Sequence, residues 1–292
     1  MPETEAWTVG RLLQWTTGYL KDHGSDCSRL DAEVLLAEAL GCRRIELYTT
    51  FDTVPGERAR AAFRELVRRR AEGMPVAYLV GRREFYSLSF RVTPDVLIPR
   101  PETEFLVVTL LDLARQRPVG QQIAICDVGT GSGIIAICAA KHLPNCRVTA
   151  VDVSPAALQV ARINAAEHGV QERVELVESD LFSAVPAERR FDFVVSNPPY
   201  VSEAEFSTLA PEVQRFEPRE ALVAGERGTE VIKALLLQAA ERLNPGGHLL
   251  VEISPMIHDA ARALFEADGR YEIGPTVKDL ARLPRVVQAR RK

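Results

Sequence analysis

From Gln122 onward, short apolar runs alternate with longer stretches of helical periodicity, and this alternation limits the possible folds more than any other feature. Residues 123–128, 147–151, 174–178, 191–196 and 248–253 are rich in β-branched and aromatic side chains and bounded by turn residues, so they read as buried strands. Helical patterns at 134–142, 154–167, 229–243 and 255–267 fall between or after them, and two late strands are expected near 271–274 and 285–288. Strands joined through helices pair in parallel, because a parallel crossover needs a long connection. The expectation over 102–292 is an α/β domain with a seven-stranded, mostly parallel sheet and helices on both faces.

Residues 1–80 are of another kind. Amphipathic patterns at 9–20, 31–41 and 55–72, the last two ended by Gly41 and Gly73, suggest a small helical bundle that recognises a partner. Leu12, Leu13, Trp15 and Leu20 are its candidate packing residues in the first helix, and Leu66 and Val67 in the third. The run Arg68-Arg69-Arg70 is read as a solvated helix end, since this stretch holds 11 Lys+Arg against 12 Asp+Glu. Between the two parts, 81–101 is a proline-punctuated connector carrying a β-hairpin at 83–92. It leads into a helix that should run to about Gln116, with Pro101 and Glu102 in its first turn. The long polar stretch 201–228 reads as a substrate-facing loop or lid.

Net charge is −4, so no global basic field points to stable nucleic-acid binding. Five cysteines without a C-x-x-C pair suggest reduced thiols and no zinc site. The N-terminus lacks a basic, apolar leader, and no run approaches the ~18 apolar residues of a membrane span. A soluble, cytoplasmic monomer without membrane contact is expected.

The candidate site lies at the ends of the strands. Asn197-Pro198-Pro199-Tyr200 follows the strand 191–196; proline cannot continue a central strand and keeps the preceding residue extended. Asn197 therefore sits at a carboxyl strand end, where open α/β sheets bind ligands. A carboxamide with donors and an acceptor, carbonyls freed by the turn and the face of Tyr200 together suit a planar amide or amino nitrogen. Upstream, Gly129-Thr130-Gly131-Ser132-Gly133 forms a strand-to-helix turn suited to close backbone approach to a ligand. Asp152, ending the next strand, is placed to accept from ribose hydroxyls, and Asp180, with Leu181 and Phe182 as apolar walls, to meet an adenine.

In this combination the chain resembles the class I S-adenosylmethionine-dependent methyltransferases, with their Rossmann-like sheet. Within these it is similar to the release-factor glutamine methyltransferase family (HemK/PrmC). The resemblance also rests on Leu30-Asp-Ala-Glu-Val-Leu-Leu36, Pro75-x-Ala-Tyr-Leu79, Gly81-x-x-Glu-Phe85 and Leu97-Ile-Pro-Arg-Pro-Glu-Thr-Glu104. Glu252-Ile-Ser-Pro255 and the tail near 279–286 depart from the family pattern. The resemblance implies that Gly129, Thr130, Gly131, Ser132, Gly133, Asp152, Asp180 and Leu181 bind S-adenosyl-L-methionine, with Asn197 beside them. It implies that Asn197, Pro198, Pro199 and Tyr200 hold the glutamine of the Gly-Gly-Gln motif of peptide chain release factors and serve the methylation that gives N5-methylglutamine. Methylation of a ribosomal-protein glutamine, or of an exocyclic amine in nucleic acid, is the alternative reading.

Overall fold

The structure is a computed structural model that describes residues 6–118 and 120–292. These form two compact units, divided after Gly81.

The first unit is helical: α1 (Val9–Asp22), α2 (Ser28–Leu40), the single turn α3 (Glu46–Thr49), α4 (Glu57–Ala71) and α5 (Val76–Val80). Leu13, Leu20, Leu35, Leu36, Leu47 and Phe63 form its core. Trp15, expected to pack, lies on the surface at 52 % exposure and stacks on Tyr19. The apolar side of the third predicted helix is carried by Phe63 and Val67. Two acids of the 30–36 motif are buried: Asp31 accepts from Arg70 Nε at 2.8 Å and Ser25 Oγ at 2.7 Å, while Glu33 accepts from Tyr48 and Arg29. Of the arginine run, Arg68 pairs at the surface with Glu65 and Glu72, whereas Arg70 serves this buried pair.

The second unit opens with the hairpin β1 (Arg82–Phe85) and β2 (Leu88–Arg91), turned through Tyr86 and Ser87 at positive φ. The following helix α6 (Thr103–Arg115) starts later than expected, with Pro101 outside it and Glu102 at its cap. Then come β3 (Ile123–Val128), α7 (Ile134–His142), β4 (Cys146–Asp152), α8 (Pro155–Glu167), β5 (Val174–Glu178) and β6 (Phe191–Ser196). Ser154 caps α8 by accepting from Ala157 N, as a serine before a proline-led helix should. A short segment follows: β7 (Val201–Ser202), α9 (Glu203–Phe206), α10 (Pro211–Phe216) and β8 (Val223–Gly225). The chain closes with α11 (Glu230–Arg242), β9 (Leu243–Glu252), α12 (His258–Ala267), β10 (Tyr271–Ile273), β11 (Val277–Lys278) and β12 (Pro284–Arg291). β9 begins before the expected 248, because the Asn244–Gly247 turn is absorbed as an irregularity in its pairing with β6.

Among the described residues the main sheet runs β10-β12-β9-β6-β3-β4-β5, with the two-residue β11 added beside β12. Strands β3, β4, β5, β6 and β9 are parallel and β12 returns antiparallel against β9. Alternate residues feed different cores, as a two-residue strand period requires. Ile125, Phe193, Val195 and Leu250 join the α6–α7 side, and Cys126, Val194, Leu249 and Val251 the α11–α12 side. Phe85 and Phe90 of the hairpin are buried in the first of these cores. From β3 the chain proceeds to β4 and β5 on one side and then to β6 on the other. That reversal opens a crevice at the carboxyl ends of β3 and β6.

Candidate active site at the carboxyl ends of the sheet

A cleft of about 690 Å³ occupies this crevice, in the size range of small-molecule sites. Its lining includes Gly129, Thr130, Gly131, Ser132, Asp152, Asp180, Leu181, Asn197, Pro198 and Pro199. The turn after β3, the ends of β4 and β5 and the Asn-Pro-Pro turn therefore meet around one space. Gly133 and Tyr200 are not in this lining. Gly133 caps α7 at φ 85°, and a Cβ there would stand 3.0 Å from Ile137 Cδ1. Tyr200 is half-buried against the α11–α12 core. Burial, then the neighbouring Glu252, raises its phenol pKa.

The glycine turn is held by its own backbone and by buried side chains. Gly129 and Thr130 donate to the Val151 carbonyl at 2.9 and 3.0 Å, stitching the turn to the end of β4. Gly131, at φ 55°, has open space where a Cβ would stand, so the backbone is bare toward a ligand. Asp127, fully buried, accepts from Thr130 Oγ1 at 2.7 Å and Ala136 N at 3.1 Å; its Oδ1 has no partner among the described residues. Burial pushes this carboxyl up to about 7 against those two hydrogen bonds.

Sequence reasoning gave no role to Asn164 of α8. The structure buries it completely, where it donates to Ser132 O (2.8 Å) and Arg91 O (3.0 Å) and accepts from Arg91 N (2.7 Å). It thereby ties the hairpin to the glycine turn. A lone asparagine on a predicted helix carried no signal of this.

Asp152 accepts from Gly131 N at 2.8 Å and Ser154 N at 3.0 Å, so it braces the turn as well as facing the cleft. Burial raises its pKa, against these backbone hydrogen bonds. Asp180 is exposed at the cleft edge, and Leu181 beside it holds a left-handed φ of 49°. Such a conformation costs a non-glycine residue about 1 kcal/mol or more, and its position on the cleft wall points to a shape kept for a ligand. Phe182 is buried behind it.

At the far side of the cleft, Asn197 Nδ2 donates to Thr103 Oγ1 at 3.2 Å. That leaves the carboxamide oxygen as the acceptor at the opposite end of the group. Thr103 is fully buried at the start of α6, and Glu252, at the end of β9, is buried as well. Neither residue was assigned a role from sequence, although an acid ending a strand at this edge was the available signal.

The 201–228 stretch lines the cleft through Pro218, Arg219, Glu220, Ala221 and Val223. It is an ordered strap: β7 and β8 pair in parallel, and Ser202 and Glu205 form a reciprocal cap on α9. Glu217, 6 % exposed, accepts from Ile98 N at 3.1 Å and Arg100 at 2.5 Å, fastening the strap to the loop before α6. No group of metal-ligating side chains occurs among the described residues.

A bare backbone turn, a carboxylate at the next strand end, an apolar wall and a volume of this size suit a nucleoside-bearing cofactor. The carboxamide across the cleft suits an N–H-bearing acceptor.

Comparison with known proteins agrees. Residues 11–81 match the family model described as PrmC N-terminal domain, and 102–215 the methyltransferase small domain. The chain is 51% identical over 282 residues to the release factor glutamine methyltransferase of Rhodopirellula baltica, covering 96% of this chain and 95% of that one. It is 43% identical to the enzyme of that name from Geobacter sulfurreducens, over 91% and 90%. A methyltransferase of Pyrococcus furiosus superposes with a TM-score of 0.50 at 20% identity, over 71% of this chain and 90% of that one, a likeness of fold.

Proposed function

Because the chain belongs to the release factor glutamine methyltransferase family, we propose that it methylates the side-chain amide nitrogen of the glutamine in the Gly-Gly-Gln motif of peptide chain release factors. The enzyme is an S-adenosyl-L-methionine-dependent protein-glutamine methyltransferase, and its product is N5-methylglutamine. The observation that carries this reading is Asn197, turned by Thr103 so that its carboxamide oxygen is available in the same cleft as the glycine turn and Asp152.

When bound, the cofactor supplies an electrophilic methyl group on a sulfonium. Gly129, Thr130, Gly131 and Ser132 would line its methionine portion, with Gly133 shaping the turn behind them. Asp152 would accept from its ribose, and Asp180 and Leu181 would border its adenine. The Asn197 carboxamide oxygen and the Pro198 carbonyl would accept from the two N–H groups of the substrate amide. Such a nitrogen is a poor nucleophile, because its lone pair is delocalised into the carbonyl. Two fixed acceptors favour localisation of that pair and aim it. Positioning of this kind supplies on the order of 7 kcal/mol in favourable systems. Pro199 stiffens the turn, and Tyr200 anchors it against the core from which Asn197 projects.

The helical unit would recognise the release factor. The proposed enzyme acts as a monomer in the cytoplasm, without stable nucleic-acid binding. No helix among the described residues is long and apolar enough to cross a membrane.

The test is transfer of labelled methyl to purified release factor, beside a factor whose Gly-Gly-Gln glutamine is changed to alanine, with duplex DNA and ribosomes as rival acceptors. Label on the unaltered factor alone is expected. Label on DNA or ribosomes instead would overturn the substrate.

A further inference from the structure

The outer edge of β2 is covered by α8. In an antiparallel ladder, hydrogen-bonded and non-hydrogen-bonded pairs alternate. Counting from the Phe85–Leu88 pair that closes the two-residue turn, Ser89 and Arg91 fall in pairs of the second kind, so their backbone groups point away from β1. Side chains of α8 meet them there. The Ser89 carbonyl accepts from His168 Nε2 at 2.9 Å. Arg91 has both its N–H and its carbonyl on the carboxamide of Asn164, at 2.7 and 3.0 Å. An asparagine amide carries the donor and acceptor of a peptide group, so it serves this edge as a neighbouring strand would.

The other hydrogen on Asn164 Nδ2 goes to the Ser132 carbonyl at 2.8 Å. Ser132 lines the cleft. The next residue, Gly133, lies against α8 one turn before Asn164: a Cβ there would stand 3.3 Å from Ala161 Cβ. Residues three apart share a helix face, so one face of α8 makes both the packing contact and the polar contact with the glycine turn. Asn164 is wholly buried, and a buried carboxamide is costly unless its groups are matched. Here both of its donor hydrogens are used.

We propose that Asn164 is a positioning residue for the cofactor, which fixes the glycine turn through Ser132 and links the hold on that turn to the hairpin. The inference rests on the reading of the glycine turn as the seat of S-adenosyl-L-methionine.

A carboxamide is planar and turns as one piece. Rotation that frees Arg91 therefore frees Ser132 as well, and the reverse. A ligand that fixes the turn makes this rotation harder and so steadies the hairpin edge. A hairpin in place, in turn, favours the form of the turn that receives the ligand. Such coupling is reciprocal in free energy. It needs no change of shape, because the same bonds are present in both states and open less often when cofactor is bound.

Amide hydrogen exchange of the whole protein, read residue by residue with and without saturating S-adenosyl-L-methionine, tests the link. The amide of Gly131, which donates to Asp152, reports on the turn, and the amide of Arg91 on the hairpin edge. Both should slow, Arg91 by about fivefold, the low end of coupling between sites. The amide of Tyr271, in β10 at the far edge of the sheet, should change by less than about twofold. Asn164→Ala should raise the dissociation constant of the cofactor about tenfold, the worth of one hydrogen bond, and Arg91 should no longer respond to cofactor. His168→Ala removes the other tie between α8 and β2 without touching the turn. It should quicken exchange in the hairpin while cofactor affinity stays within about twofold. An equal loss of affinity in His168→Ala would reduce Asn164 to a packing residue and overturn the proposal. So would a Gly131 amide that slows beside an unresponsive Arg91, or an Arg91 that slows no more than Tyr271. A Gly131 amide unmoved by bound cofactor would instead overturn the reading of the turn as the cofactor's seat. Should Asn164→Ala fail to fold, the comparison of Arg91 with Gly131 and Tyr271 in the unaltered protein decides alone.

Discussion

The two sides of the cleft are held by different means. On the β3–β4 side, polar groups close mainly on backbone: Gly129 and Thr130 onto a carbonyl, Asp152 onto the N–H groups of Gly131 and Ser154. On the β6–β9 side, Asn197 is oriented by the hydroxyl of the buried Thr103. Backbone groups are present whatever the side chains are, so the first side tolerates change at all but a few positions. The second depends on two side chains, Asn197 after β6 and Thr103 of α6, and each can be removed. The first side should therefore govern cofactor affinity and the second the chemical step.

The largest expected effect breaks the second side. Asn197→Ala should lower the single-turnover rate about 1000-fold, the scale of losing one preorganised polar contact to the reacting group, while calorimetry finds cofactor affinity within about twofold. An equal loss in both would erase the distinction between the two sides. Asp152→Ala should do the reverse and weaken cofactor binding about 100-fold, as the loss of charge-assisted hydrogen bonds does. The rate at saturating cofactor should fall much less; a rate loss at unchanged affinity would assign Asp152 to the wrong side.

Glu217→Gln tests whether the strap belongs to the cleft wall as a fixed element. Removing its charge from the Arg100 pair should destabilise the strap by about 2 kcal/mol. Hydrogen exchange of the Ile98 amide and of 201–228 should quicken by about tenfold or more, with the β3–β4 edge unchanged.

The smallest effect sharpens the comparison through pH. The Glu252 carboxyl is raised from 4.5 to about 7, so the folded state holds a proton that the unfolded chain releases. Its contribution to stability is fully present below the unfolded value and is lost as pH rises through the folded one. Between about pH 6 and about pH 8.5 the unaltered protein should lose about 1.4 kcal/mol from this group, or about 3 °C in Tm. Glu252→Gln should remove that part of the slope. Asp127, raised to about 7 by its own burial, will keep a similar slope in both proteins. An unchanged slope in Glu252→Gln would mean that the glutamate does not hold its proton in this range.

Sequence alone determined the parts of the protein that are written locally. Periodicity marked β3, β5 and β6 at their observed limits, because a buried parallel strand must be short, apolar and bounded. Gly129-x-Gly131-x-Gly133 and Asp152 were legible because a tight turn at a strand end limits which residues can stand there. Asn197-Pro-Pro was legible because two prolines end a strand wherever they occur. The start of α6 was displaced because Pro101 and Glu102 satisfy the rules for a first turn equally well inside the helix and just before it. The extent of β9 was missed because its Pro-Gly-Gly piece has the composition of a loop and is held by pairing with β6.

Tertiary structure decided the remainder. Thr103 and Asn197 lie 94 residues apart and meet only when α6 packs beside β6. Glu252 ends β9 at the same edge of the sheet only because β9 pairs with β6 in one register. Asn164 reaches the glycine turn and the hairpin from the middle of a helix, and Glu217 pins the strap from a loop. Asn164 and Glu217 are single polar residues with no local pattern around them. Their roles come from long-range packing, which removes water from a polar group and leaves it only the partners that packing brings.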